Sequence, residues 1–378
     1  MNKKRVLIAY KFMPQYRIAF FNLLKSELEK YDVELSVVYG KSYSLDRGDE
    51  IDLEWAYYRK NKIFSFLKFV IYWQPTTDLI KGKDLVIVEQ ANSLLINYYL
   101  IILRFFTKLK IGFWGHGRNR QGSGQSILNK FKLAYLKKCD YWFAYTKSVQ
   151  EYLILNGFGQ NKISVVNNSL DTHQLKTDYF SIDEKEVEFL RSEFSIASGD
   201  SVAIYCGALY KEKRLDFLLS AAVLVKQKLP GFNLLIVGAG PDENKLKSQA
   251  KADKWIHFVG SKFGREKAKF FKAADIFVMP GALGLAALDS FVTQTPMVIP
   301  QLQTHGPEID YLVHDINCII TSDNVAEFAK ESIKLLTDKN KIEKLKTGCE
   351  HSAEEFTLDK MVTNFTEGVI KCLNNESR

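Results

Sequence analysis

At 378 residues the chain exceeds what one ordinary hydrophobic core organises, and two domains are expected. Hydrophobic residues at 46% and charged residues at 25% exclude disordered and fibrous classes. The longest apolar run, Leu94 to Leu103, stops at Arg104 and is too short to span a bilayer.

The net charge of +8 is unevenly spread. Residues 1–170 hold 26 Lys and Arg against 14 Asp and Glu, whereas residues 171–378 hold 26 against 30. A basic front half implies an anionic partner there, such as a phospholipid surface or a lipid-linked diphosphate. Nucleic acid is disfavoured because the basic residues do not interleave with aromatics in a recognisable motif. Five cysteines without a CxxC pair read as reduced core thiols in a cytoplasmic protein. Lys3-Lys4-Arg5 precedes only five apolar residues before Lys11, which reads as a first strand rather than a secretory signal.

In chain order, Arg5–Tyr10 reads as a strand. Arg17–Lys30 reads as a helix, with Ile18, Phe21, Leu24 and Leu28 at helical spacing. Val33–Tyr39 is a strand and Ile63–Trp73 an aromatic, basic helix candidate. Asp84–Glu89 is a buried strand, followed by a helix from about Ser93 to Lys108. Ile111–Trp114 is a strand running into Gly115-His116-Gly117-Arg118. Helices at Ser126–Lys138 and Lys147–Asn156 alternate with strands at Tyr141–Tyr145 and Ser164–Asn167. A polar seam from Asp171 to Asp200 contains a helical stretch near Glu184–Phe194. Strands at Val202–Cys206, Asn233–Val237, His257–Val259, Ile276–Met279 and Met297–Ile299 follow, and a helical tail covers about Lys341–Leu373. This alternation predicts an α/β protein of two doubly wound, Rossmann-like domains facing a cleft. The first spans residues 1–172, with a terminal helix of about 355–378 as a candidate to return to it, and the second spans 173–354.

Three strand ends between residues 205 and 291 are punctuated by glycine: Gly207-Ala208, Gly238-Ala239-Gly240 and Gly281-Ala282-Leu283-Gly284-Leu285. In an open α/β sheet such turns gather along the carboxyl edge, where ligands bind. Backbone N–H groups there attract anions and glycine admits close approach, which predicts a nucleoside diphosphate site. No GxGxxG opens the first helix, so a dinucleotide dehydrogenase is disfavoured.

The order strand–Gly207–five residues–Lys213, then Val237-Gly238-Ala239-Gly240, then Phe258-Val259-Gly260, then Ala274 to Pro280, resembles the carboxyl-terminal domain of GT-B glycosyltransferases of the retaining family 4. The resemblance covers residues 200 to 330 well and the front half in outline. It implies that Lys213 neutralises the donor diphosphate as leaving-group charge develops, against the alternative of a solvated lysine in a charged turn. It implies that Asp289 holds the ribose hydroxyls where the family has glutamate. It also implies that Gly260, Ser261 and Lys262 clasp the nucleobase through main-chain groups. Two positions depart from the family: Ala208 replaces an arginine and Gly281 a glutamate. A phosphate contact is then left to Arg214 or Arg265, and the sugar or phosphate contacts to the N–H groups of Ala282, Leu283, Gly284 and Leu285. Glu308, in His305-Gly306-Pro307-Glu308, stands where the family has a glutamate near the donor.

In the front half the resemblance implies that His116 lies against the donor sugar. Arg118, Asn119 and Arg120 suit an anionic acceptor, with solvated loop charges as the alternative. Glu89, a strand-end carboxylate, is a candidate acceptor contact or base, with helix capping as its alternative. No residues stand at metal-ligand spacing, and no metal or other cofactor is expected.

The expected activity is retaining transfer of a sugar from a nucleotide-diphosphate donor to a glycan or lipid-linked acceptor, in bacterial surface polysaccharide synthesis. The expected location is the cytoplasm, peripheral on an anionic membrane surface. A non-catalytic glycan-binding subunit and a sugar-nucleotide epimerase are the alternatives.

Overall fold

A computed structural model describes residues 3–41, 52–66, 69–117 and 135–375. The chain divides into two compact units, Met1–Asp171 with Leu358–Arg378, and Thr172–Thr357. Each is an α/β unit built on a parallel sheet, as the alternation of strand and helix predicts.

Unit 1 carries strands β1 (Lys4–Phe12), β2 (Val33–Gly40), β3 (Tyr57–Tyr58), β4 (Lys62–Phe66), β5 (Phe69–Trp73), β6 (Leu85–Glu89), β7 (Lys110–Gly115), β8 (Tyr141–Ala144) and β9 (Ile163–Val165). Seven of them form a parallel sheet in the order β3-β2-β1-β6-β7-β8-β9. Because side chains alternate across a strand, β1 feeds both faces: Val6, Ile8 and Tyr10 enter one core, Leu7 and Ala9 the other. The helix Leu358–Asn374 seals the first core, its Phe365 ring stacked 4.4 Å from Phe143 and edge-on to Phe20 and Trp114.

Unit 2 carries β10 (Val202–Cys206), β11 (Asn233–Val237), β12 (Ile256–Gly260), β13 (Ile276–Val278), β14 (Met297–Pro300) and β15 (Cys318–Thr321), ordered β12-β11-β10-β13-β14-β15 and parallel throughout. Strand order reverses between β10 and β13, a topological switch point whose carboxyl edge is the usual ligand site of such sheets.

Three expectations need correction. The segment Ile63–Trp73 is not a helix: β4 and β5 pair antiparallel, Ile63 opposite Tyr72 and Phe64 opposite Ile71. Its β-branched and aromatic residues suit a pleated ribbon, and the helical reading overlooked that preference. The helix after β6 is Leu95–Leu103, shorter than the span to Lys108. The tail is two helices, Lys339–Glu355 and Leu358–Asn374, preceded by β15 and a helix Val325–Thr337. Most of the Ser126–Lys138 helix lies outside the described residues. Among the described residues no helix is long and apolar enough to cross a membrane.

Candidate functional site

The carboxyl edge of the unit 2 sheet gathers the glycine-marked turns in strand order. After β10 the chain passes Gly207 and Ala208, whose carbonyl accepts the Tyr205 hydroxyl at 2.9 Å. A single 3-10 turn, Lys211–Lys213, follows. Arg214 then adopts a left-handed φ of +54°, which turns the chain into the helix Leu215–Lys228. This sharp reversal holds Lys213 at the edge of the sheet rather than on a surface helix.

The Lys213 ammonium donates to the Ala282 carbonyl at 2.6 Å, and burial lowers its pKa. Among the described residues no carboxylate neutralises it, so an anion arriving there would recover charge stabilisation that desolvation has removed. The lysine turn and the loop after β13 are stitched together: Ala282 N–H donates to Glu212 O at 3.0 Å. Gly281 explains why the loop can lie so close. A Cβ on it would fall 2.5 Å from the Lys213 carbonyl carbon and 2.6 Å from its Cα. The space that a glutamate side chain would leave by is filled by the backbone that carries Lys213.

His305 fixes the other side of this loop. Wholly buried, it accepts Leu283 N–H on Nδ1 at 3.1 Å, and its Nε2 lies 2.8 Å from the Pro300 carbonyl. A neutral ring with the proton on Nε2 satisfies both contacts. Gly306 N–H adds a bond to Leu283 O at 2.8 Å. Glu308, buried in the 3-10 turn Pro307–Tyr311, stands close by, since a Cβ on Gly306 would be 2.5 Å from its carboxylate. Ala282 and Leu283 thus spend their N–H groups internally. Those of Gly284 and Leu285 make no such bond among the described residues, and they precede the helix Ala286–Val292.

A second constellation lies in the first turn of that helix. Asp289 Oδ1 is 2.7 Å from Lys267 Nζ, with both side chains mostly buried. Burial works to lower the Lys267 pKa, but Asp289 and then Cys206 outweigh it and the net shift is upward. Cys206, at the end of β10, is pushed up to about 12 by burial, with Lys267 opposing and Asp289 adding. The Lys267–Asp289 pair thus lies near enough to Cys206 for its charges to act on the thiol. At the next turn, Gly238 N–H donates to Gly260 O at 2.9 Å, and the Lys262 ammonium lies over the Phe270 ring. Ser261 is exposed.

The two arginines named for the missing phosphate contact have other partners. Arg214 pairs with Asp323 at 2.7 Å, and Arg265 pairs with Glu186 at 2.6 Å and bonds the Ser181 hydroxyl. Lys267 is the cation that the structure brings beside Asp289. Sequence reasoning missed it because it is one of four lysines in the helix segment Gly264–Lys272 and its neighbours, and only the crossing of that helix distinguishes it. It also singled out Glu308 and passed over His305 in the same motif. The only signal was a histidine closely following a buried strand end.

In unit 1, His116 and Glu89 both follow the carboxyl ends of neighbouring strands. His116 is exposed, its ring edge-on to Tyr145 at 4.5 Å. Glu89 Oε2 accepts Lys11 N–H at 2.6 Å, tying β6 to β1. Burial raises its pKa, opposed by that N–H and by the charges of Lys11 and Arg17. Arg118, Asn119 and Arg120 lie outside the described residues.

Comparison with known proteins identifies this architecture. Residues 200–338 match the family Glycosyl transferases group 1. The alpha-monoglucosyldiacylglycerol synthase of Acholeplasma laidlawii is 24% identical over 185 residues, 47% of this chain and 45% of that protein. The chain thus spans about half the length of that relative. An uncharacterized glycosyltransferase of Methanocaldococcus jannaschii is 23% identical over 292 residues, 72% and 71% of the two chains. Among solved structures, a glycosyltransferase from Rickettsia africae superposes over 100% of both chains with a TM-score of 0.72 and 14% identity. Anabaena HepE in complex with UDP does so over 97% and 99%, with a TM-score of 0.70 and 13% identity. The fold is that of GT-B glycosyltransferases, with two Rossmann-like domains, and the match to the glycosyl transferases group 1 family falls within the second unit.

Proposed function

We propose that the chain transfers a sugar, with retention of configuration, from a nucleoside diphosphate donor to a hydroxyl of a glycan or lipid-linked acceptor. The observation that carries this reading is the desolvated Lys213 ammonium, held against the loop 281–285 at a topological switch point with no carboxylate partner among the described residues. In the reaction the bond between the anomeric carbon and the diphosphate oxygen breaks, and a bond from that carbon to the acceptor oxygen forms. The acceptor proton passes to the departing phosphate, so no separate strong base is needed.

Lys213 and the open N–H groups of Gly284 and Leu285 meet the charge that grows on the diphosphate, where preorganised donors act most strongly. Asp289, oriented by Lys267, holds the ribose, and main-chain groups of Gly260, Ser261 and Lys262 hold the base. His116 orients the donor sugar. Glu89 and Arg118 with Asn119 serve the acceptor, and no metal or other cofactor is invoked. A likeness to HepE, whose structure was solved in complex with UDP-glucose, supports a uracil nucleotide as the first donor to try.

Two neighbours support surface glycan synthesis as the setting: a lipopolysaccharide outer core galactosyltransferase and a glycosyltransferase involved in lipopolysaccharide biosynthesis. A cytoplasmic, membrane-peripheral location fits the exposed Ile102, Phe105 and Phe106 beside Lys108, a basic and apolar patch suited to anionic lipid. Thermal denaturation with UDP, GDP, ADP and dTDP tests the donor reading, because a ligand of the native state raises the melting temperature. If none does so, the proposal fails. Release of the nucleotide from its sugar conjugate, lost in Lys213→Ala, separates a transferase from a glycan-binding subunit.

A further inference from the structure

Gln90 follows Val86 and Val88 in the two-residue alternation of β6 and sits at the carboxyl edge of the unit 1 sheet. Its backbone is held firmly. Its N–H donates to Trp114 O at 2.9 Å, and the buried Asn97 amide pins the carbonyls on either side of it, Glu89 O at 2.8 Å and Ala91 O at 3.2 Å. The side chain is only 8% exposed, yet among the described residues neither its Oε1 nor its Nε2 has a hydrogen-bond partner. Two strands away Thr146 repeats the pattern. It is wholly buried at the N-cap of the helix Lys147–Leu155, where a threonine hydroxyl normally accepts a backbone N–H, and its Oγ1 has no partner among the described residues.

Between them runs Gly115 of β7, paired with Ala144, its φ of +154° outside the range side chains favour. A Cβ there would approach the Gln90 Cβ to 3.6 Å. With no side chain of its own, Gly115 lies between the carboxyl end of β6, where Gln90 follows, and that of β8, beyond which Thr146 lies, directly before the exposed His116. Buried polar groups without partners are costly, and a leucine at position 90 would give up no side-chain bond among the described residues.

We infer that Gln90 and Thr146 form a niche for a sugar hydroxyl beside His116. The donor set selects this chemistry. An amide offers one acceptor and one donor group, and a threonine hydroxyl offers both, which together match an alcohol that must donate and accept. A phosphate would face the Gln90 carbonyl oxygen with no proton to give it. Since both atoms are covered, the hydroxyl enters as Gln90 turns into the space over Gly115. The inference rests on the glycosyltransferase reading and deepens it, giving unit 1 a hydroxyl-reading role for which Glu89 and His116 alone do not account.

Gln90→Leu and Thr146→Val test it in the full chain. Dissociation constants are measured for the nucleoside diphosphate that stabilises the chain most and for its glucose conjugate. Nucleotide release is measured with and without octyl glucoside. Both variants are expected to melt at or above the temperature of the unaltered chain and to bind the free nucleotide unchanged. A donor hydroxyl in the niche makes the affinity gained from the sugar fall at least 10-fold. An acceptor hydroxyl makes the stimulation by octyl glucoside fall by that factor instead. Gln90→Glu, which keeps an acceptor but loses the donor group, is expected to recover only part of either. If both readouts stay unchanged in both variants, whether or not the melting temperature falls, the niche is structural and the inference is overturned. If the unaltered chain binds no nucleotide, the glycosyltransferase reading itself falls, and the inference with it.

Discussion

The carboxyl edges of the two sheets are built on opposite plans. In unit 2 the named side chains near the switch point have partners within the protein, Lys213 in Ala282 O, His305 in Leu283 N–H and Asp289 in Lys267, and the open groups there are the backbone N–H of Gly284 and Leu285. In unit 1 the corresponding edge leaves the side chains of Gln90 and Thr146 without partners among the described residues. A nucleoside diphosphate has a fixed shape and charge, so a site for it can be set in advance by the protein's own bonds. Such preorganisation means that little is reorganised when charge develops. Hydroxyls of a sugar are many and neutral, and reading them takes groups kept unsatisfied until the ligand comes. Rigidity on one side and unmet hydrogen bonds on the other are what the contrast teaches.

The sharpest way to break that contrast is to remove the unit 2 cation. Lys213→Ala is expected to slow nucleotide release from the donor by about 100-fold or more, the usual loss for one group that stabilises transition-state charge. The melting temperature should move little, and a variant that keeps its rate would refute preorganisation at this edge. Restoring the family's acid by Gly281→Glu is expected to cost about 1–3 kcal/mol in urea denaturation, because its Cβ meets the Lys213 backbone. A stable variant would mean that the stitched loop has room to move.

His305→Ala strands the buried Leu283 N–H and is expected to cost about 1–3 kcal/mol. It should also weaken nucleotide binding measured by calorimetry. Loss of stability alone, with affinity intact, would separate the histidine from the site.

The smallest effect belongs to unit 1. Burial raises the Glu89 pKa, so ionisation is penalised in the folded state only. Below the ordinary value of 4.5 both states are protonated and the group contributes nothing. As pH rises through 4.5 the unfolded chain ionises first and stability falls, until the folded carboxyl ionises in turn. Glu89→Gln should therefore raise the melting temperature near neutral pH and lose that gain under acid, as followed by melting curves across pH.

Much of this was legible beforehand. Apolar strands bounded by glycine recur through both halves, and their alternation with helices forces parallel sheets whatever the tertiary detail. Lys213 stood out by its distance from Gly207 rather than by its charge. Lys267 did not, because a lysine on a helix acquires meaning only from what the helix crosses. The ribbon Lys62–Trp73 was misread for a related reason: a short apolar run carries little period, and its partner strand settles the matter.

Local rules, namely strand propensity, turn chemistry and the left-handed or crowded backbone that glycine alone tolerates, determined the elements and marked the edge where a ligand would lie. Tertiary structure decided which groups meet there. It brought Phe365 back onto Phe143, Lys267 to Asp289 and His305 to Leu283, and among the described residues it left the Gln90 side chain unpaired. Periodicity says which face of a helix is buried but not against what, so pairings between distant segments are written only in the packed fold.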